Sequence, residues 1–147
     1  MLQLGLIGSM EQVEQLLRTW APLPDINWCG CFCPEQGVND PTSGVPVYKS
    51  YAALTEVSDA LCILRSDANP FQWIQQAFRM GKHVFLEYAG LLSLEETEEL
   101  LSNQLEAGVK CLLGSPELSH PAFLLLRDEV PAFQVMEIDR QVAKLHG

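Results

Sequence analysis

Basic side chains are scarce in this chain. Nine Lys and Arg stand against nineteen Asp and Glu, a formal net charge of −10 over 147 residues, and the nine are scattered rather than clustered. Such a field repels a nucleic-acid backbone or an anionic membrane surface, so neither is expected as a partner. Long apolar runs are missing as well: none approaches the roughly 18 residues that a membrane crossing takes. The N-terminus lacks a basic n-region and a small-residue cleavage site, which makes the cytoplasm the expected location. No C-x-x-C and no His/Cys spacing of the zinc-binding kind occurs, so no metal is expected.

What is present reads as a folded domain. Hydrophobic residues make up 48% and charged residues 19%, the balance of a globular chain rather than a disordered one. The length suffices for one domain with a real core. Of the five cysteines, Cys29, Cys31 and Cys33 alternate, which places all three on one face of a strand. Neighbours of an i, i+2 pair stand roughly 6.5–7 Å apart, a poor distance for a disulfide. They read as small buried hydrophobes, with a redox or metal role as the alternative.

Apolar strands and amphipathic helices alternate along the chain. Residues 2–7 form a short apolar strand. Ser9 with Gln12 makes a capping-box pattern, and Val13, Leu16, Leu17 and Trp20 follow as an apolar helix face closed by Pro22 and Pro24. Ile26 to Phe32 is a second strand, and Pro34 to Pro46 a Gly/Pro/Asn/Asp-rich exposed loop. Ser50 opens a short helix to about Val57. Asp59 to Leu64 is a continuous apolar run after one acid, as a central parallel strand requires. Asn69-Pro70 predicts a helix start with Asn69 at the cap, running to Met80 before Gly81. His83 to Leu86 is the next strand, and Ser93 with Glu96 is a second capping box for a helix ending at Gly108. Val109 to Leu113 is a strand, Pro121 to Asp128 a helix, and Phe133 to Ile138 a last strand. The alternation predicts an α/β fold: a doubly wound, mostly parallel sheet with helices on both faces, in one domain over 1–147, with 132–147 as an extra edge strand and tail.

Between the first strand and the first helix lies Leu4-Gly5-Leu6-Ile7-Gly8-Ser9-Met10. A dinucleotide turn reads G-x-G-x-x-G, its middle glycine letting the backbone approach the pyrophosphate. Counted from Gly8, that glycine is Met10. Further on, the stretch from Ala77 through Gly81-Lys82-His83-Val84 to Glu87 resembles the Gly-Lys-His-Val…Glu-Lys-Pro signature of the glucose-fructose oxidoreductase and inositol dehydrogenase family (Gfo/Idh/MocA). Val57 to Ile63 is similar to that family's third strand, Leu91 to Glu96 to the helix start after its Glu-Lys-Pro, and Leu113-Gly114 with His120-Pro121-Ala122 to its fifth strand and following helix. The likeness covers residues 2–128. It implies an NAD(P)-dependent oxidoreductase of sugars or polyols with a Rossmann domain followed by a larger α/β substrate domain. The chain ends at Gly147, so that second domain is expected to be absent.

Carried over residue by residue, the resemblance is uneven. Gly8 keeps the tight turn, while the Met10 side chain is expected to obstruct the phosphate. Glu11 suits the helix dipole and opposes a pyrophosphate at the same end. Ser9 with Gln12 is expected to cap the amides a phosphate would otherwise use; the alternative is a turn that still binds a nucleotide. The ribose-binding acid falls at Cys33, followed by Pro34, with Glu35 as a substitute only if the loop bends back. Arg65 ends the third strand, either in an ion pair with Asp67 or Glu87 or facing an anionic ligand. Glu87 is retained, but the family lysine beside nicotinamide and substrate is Tyr88, and its proline is Ala89. A tyrosine there needs a neighbour to lower its pKa from about 10 before it serves as an acid, and otherwise it is structural. His83, His120 and His146 read as structural.

The resemblance thus implies NAD or NADP as cofactor and Gly8, Ser9, Met10, Cys33, Arg65 and Glu87 as its candidate contacts, in a degraded site. No residue is assigned a catalytic role; Tyr88 only stands where the family lysine would. Three functions follow as expectations. One is a degenerate dehydrogenase-like domain with weak or no cofactor binding and no hydride transfer of its own. Another is an active oxidoreductase completed by a partner chain. The third is a homodimerising or regulatory module, whose uncovered apolar face and Phe133–Asp139 edge strand would pair across a two-fold axis.

Overall fold

Five parallel strands carry the molecule. In the computed structural model the described residues are 1–19, 24–35, 44–64 and 68–114, all within a unit spanning Met1–Ser115; a second unit, Pro116–Gly147, lies outside them. Strand β1 (Leu2–Ile7) lies inside the sheet, with four of its six residues buried, as expected for a parallel strand covered on both faces. Strands β2 (Ile26–Phe32), β3 (Ala60–Ile63), β4 (His83–Leu86) and β5 (Cys111–Leu113) complete the order β2-β1-β3-β4-β5, every pair parallel. Helices α1 (Met10–Thr19), α2 (Tyr51–Val57), α3 (Phe71–Arg79) and α4 (Leu94–Ala107) alternate with them.

The strands divide their side chains between two cores. Leu61 and Ile63 face Leu54 of α2, Ile74 and Phe78 of α3 and Leu100 of α4. Ala60, Cys62 and Leu64, one residue out of phase, face Val13 and Leu16 of α1. Helices therefore cover both faces, as the sequence predicts, because the period of two sends alternate residues of β3 to opposite sides.

Helix ends follow the expected signals. Ser93 and Glu96 close a reciprocal capping box, and Gly108 ends α4 in the left-handed conformation. Asn69 Oδ1 accepts the Phe71 N–H at 2.8 Å, but α3 begins one residue later than Asn69-Pro70 predicts, with Pro70 rather than Asn69 at the N-cap and Met80 at the C-cap. Residues 20–23 lie outside the described ones, and with them Trp20 and Pro22. So do Pro121–Asp128, Phe133–Ile138 and the expected edge strand of 132–147.

One expectation fails at β2. The cysteines do not share a face. Pairing with β1 slips between Leu4 and Gly5, where Leu4 faces Trp28 but Gly5 faces Gly30. Cys29 is the extra residue of a β-bulge. Before the bulge Ile26 and Trp28 join the core under α1; after it Cys31 and Cys33 do. Cys29 and Phe32 point to the other core, where the Cys29 thiol meets Ser58 Oγ at 3.3 Å. A one-residue insertion inverts the side-chain phase, and nothing in an alternating sequence announces it. Gly30 permits it, with φ at +153°. All five cysteines are free thiols.

Candidate functional site

The carboxyl ends of β1, β2 and β3 meet where the strand order turns back on itself, the place open α/β sheets offer for ligands. Three backbone contacts tie these ends to one another and to the end of β4. Leu64 N–H donates to Ile7 O at 2.8 Å, Gly8 N–H to Phe32 O at 3.3 Å, and Glu87 N–H to Ile63 O at 2.9 Å. Gly8 has no room for a side chain: a Cβ there would stand 2.9 Å from Leu64 Cβ and 3.0 Å from Gln12 Oε1. The glycine is thus required by the protein's own packing, whatever binds beside it.

The amino end of α1 is closed on itself. Ser9 N–H donates to Gln12 Oε1 at 3.1 Å and Gln12 N–H donates to Ser9 Oγ at 3.3 Å. Two of the four amides that a helix start leaves unpaired are therefore satisfied within the chain. This is the capping box read from the sequence, and it sits on the groups a pyrophosphate would use.

A cleft of 530 Å³ opens over this turn. Its walls include Gly8, Ser9, Glu11, Gln12, Cys33, Glu35 and Trp73, over a floor of Ile7, Ile63 and Leu64. Gly8, Ser9 and Cys33 are thus brought together as the sequence predicts. Glu35 lines the cleft beside Cys33 and Pro34. Met10 does not obstruct the cleft, which corrects the expectation from its position in the turn. It is half-buried and packs on the core under α1, because residues 10, 13 and 17 are one helix face and Val13 and Leu17 pack in that core.

Glu87 and Tyr88 are not among the cleft's walls. Glu87 is exposed at the end of β4. The Tyr88 ring folds against Gly90, where any Cβ would collide with it, in a 3-10 turn over Ala89–Leu91. Arg65, His120 and His146 lie outside the described residues. His83 is structural: its Nδ1 accepts the Lys110 N–H at 2.9 Å.

Trp73 was not marked as a wall by the sequence. It stands edge-on to Phe32, centroids 5.8 Å apart, and leans on Tyr51 at 4.8 Å. The Tyr51 hydroxyl donates to the Trp73 carbonyl at 2.6 Å. The available signal was position: Asn69-Pro70 puts the first turn of α3 at the carboxyl end of β3.

The thiols near the site are poor nucleophiles. Burial, then the neighbouring Cys33, pushes Cys31 up to about 12. Burial also raises Cys33. Burial, then the charge of Glu87, raises Cys62 to about 12. A thiol that stays protonated neither attacks nor ligates a metal. Among the described residues no group of three or more His, Cys, Asp or Glu is arranged to hold a metal. No helix among them is long and apolar enough to cross a membrane.

Comparison with known proteins agrees with this fold. The model of an oxidoreductase family with an NAD-binding Rossmann fold, GFO_IDH_MocA, matches residues 36–115. No curated protein matches the chain. Among solved structures, the fold is similar to UDP-N-acetylglucosamine 3-dehydrogenase from Acidithiobacillus ferrooxidans, at 20% identity and TM-score 0.68 over 88% of this chain and 43% of that one. A mutant 3-ketoreductase from Actinomadura kijaniata, in complex with TDP-benzene and NADP, is similar at 23% identity and TM-score 0.70, again over 88% and 43%. A dehydrogenase from Clostridium difficile is similar at 19% and TM-score 0.61, over 77% and 39%. At these identities the likeness is one of fold, and the chain spans about two fifths of the length of each of the three.

Proposed function

Because this chain belongs to the Gfo/Idh/MocA oxidoreductase family, whose model describes an NAD-binding Rossmann fold, we propose that it is a Rossmann domain whose phosphate anchorage is used by its own helix cap. On this reading it binds NAD or NADP weakly or not at all and transfers no hydride by itself. The observation that carries the reading is the reciprocal Ser9–Gln12 pair over the glycine turn. Two features add support. Glu11 brings a carboxylate to the same helix start, and Tyr88 stands where the family signature has lysine. The residues therefore fit the base and ribose end of a dinucleotide better than its pyrophosphate.

Titration of the purified chain with NADH and NADPH by calorimetry tests this. Dissociation constants of about 1 mM or weaker, some −4 kcal/mol, are expected, with no NAD(P)-linked oxidation of polyols. Micromolar binding would overturn the reading. Glu11→Gln combined with Gln12→Ala uncovers the Ser9 amide and removes the carboxylate, and should tighten NADH binding by about two- to fivefold.

A second reading is assembly with a second copy of the chain. It draws on exposed leucines: Leu94, Leu101 and Leu105 share one face of α4, and Leu113 projects from β5 on the side of the sheet that α4 covers. Leu101 and Leu113 line a common groove with Leu100 and Cys111. An apolar patch of this kind gains by being covered. An active oxidoreductase completed by another chain remains the third reading, supported by the retained Gly8 and Glu87 and by the turn of Met10 away from the cleft.

A further inference from the structure

We propose that the outer face of α4 docks a helix of another protein, one whose apolar stripe is bordered by Lys or Arg. This rests on the same leucine patch as the second reading above and gives that patch a different preferred occupant. A second copy of the chain becomes the weaker occupant, reached at high protein concentration.

The apolar part of the surface is a stripe. Leu94, Leu101 and Leu105 are 78%, 54% and 80% exposed, and they stand at positions i, i+7 and i+11 along α4. Steps of four and seven return to one side of a helix, so the three leucines form a ridge about 16 Å long at 1.5 Å per residue. Leu100, the buried residue of α4, points into the core instead, roughly a third of a turn away. Leu101 and Leu113 also wall a hollow of 60 Å³ beside the ridge, into which an apolar side chain can reach. An amphipathic helix laid along such a surface buries its own apolar face there.

Charge selects the occupant. Helix α4 carries five Glu and no Lys or Arg, so its last turn lacks the basic residue that would complement the helix dipole. Glu98 lies within the leucine stripe, four residues after Leu94 and three before Leu101, and Glu95 and Glu106 follow on one flank. All three are exposed. The other two are engaged: Glu96 by the cap and by Asn69, Glu99 by Gln75 at 2.6 Å. Arg79 of α3 shares a groove with Glu99 and Glu106, one positive charge against two negative ones. A second copy would bring a second acidic flank into the same interface, between chains of net charge −10 each. A basic amphipathic helix would instead set cations beside Glu95, Glu98 and Glu106 and beside the negative end of α4.

The test is calorimetric titration of the full chain with a synthetic helical peptide of three heptads, leucine on one face and lysine beside it. Two controls keep one property each: a scrambled peptide of the same composition, and one with glutamate in place of lysine. The leucine–lysine helix is expected to bind at least about tenfold tighter than either control. Leu105→Ser should weaken it about tenfold. Glu95→Gln with Glu98→Gln should weaken it about two- to fivefold at low salt, and both variants should keep their far-UV circular dichroism. Near 1 M salt, where the screening length is about 3 Å, the peptide complex should weaken while self-association seen by light scattering strengthens, because charge acts with opposite sign in the two. If the scrambled peptide binds equally, or Leu105→Ser changes nothing, this proposal fails and the assembly reading stands. If the chain dimerises and the leucine–lysine helix neither binds nor dissociates the dimer, the second copy is the occupant and only this proposal falls. If the chain neither dimerises nor binds the peptide, both fall.

Discussion

Gly30 shows how much a single residue can settle. Its φ of +153° is one that L side chains rarely adopt, and a Cβ there would collide with the Tyr48 ring and stand 2.8 Å from the Pro46 carbonyl. The close approach is used: Cys31 N–H donates to Pro46 O and Tyr48 N–H to Cys31 O, each at 2.8 Å. Gly30→Ala should therefore cost about 2–4 kcal/mol, from backbone strain plus overpacking, read as a shift in the urea midpoint at unchanged slope. The buried thiols make a second prediction at this scale. Cys31 and Cys62, 0% and 1% exposed, hold their protons to about 12 against an ordinary 9.0. Below pH 9 both folded and unfolded chains keep these protons, so the contribution to stability is constant. From pH 9 to 12 the unfolded chain releases them and the folded chain does not, so stability falls, by on the order of 1 kcal/mol per pH unit for each thiol. Tyr51, raised by burial from 10.0 to about 12, adds to the fall above pH 10. Urea unfolding at pH 7.5 and 10.5 should show it, and Cys62→Ala should flatten the slope; an identical slope in that variant would remove Cys62 from the account.

At the scale of an element, α1 joins stability to function. Its cap satisfies the helix start from inside the chain, so a ligand at that end competes with the fold. Ser9→Ala should destabilise the protein by about 1 kcal/mol and free the Gln12 amide, raising affinity for an anion as it lowers the unfolding temperature. A variant less stable yet no better at binding NADH would break this link between cap and cofactor. Most elements were legible because each had both a periodic apolar pattern and a terminal signal: Ser50 and Ser93 each cap their helix with a side-chain bond to the amide three residues on, and only the start of α3 moved, by one residue, to Pro70. The bulge in β2 had neither. An extra residue changes which face a side chain joins without changing the residues themselves, so Cys29 was assigned to the wrong core.

For the whole molecule, the two cores place α1 on one face of the sheet and α2, α3 and α4 with the other. The leucines of α4 and β5 are left at the surface. Light scattering at rising protein concentration should report a dimer, and Leu101→Glu should return it to monomer without loss of helicity. A monomer at every concentration would reject assembly through this patch. By itself the sequence determined the order of strands and helices, the parallel sheet and the family, because these depend on local period, capping residues and a short contiguous signature. The tertiary structure alone decided where side chains from distant segments meet. It turned Met10 into the core, brought Glu35 and Trp73 to the cleft, and set Tyr88 against Gly90, since those contacts depend on helix phase, on the bulge at Cys29 and on the convergence of three strand ends.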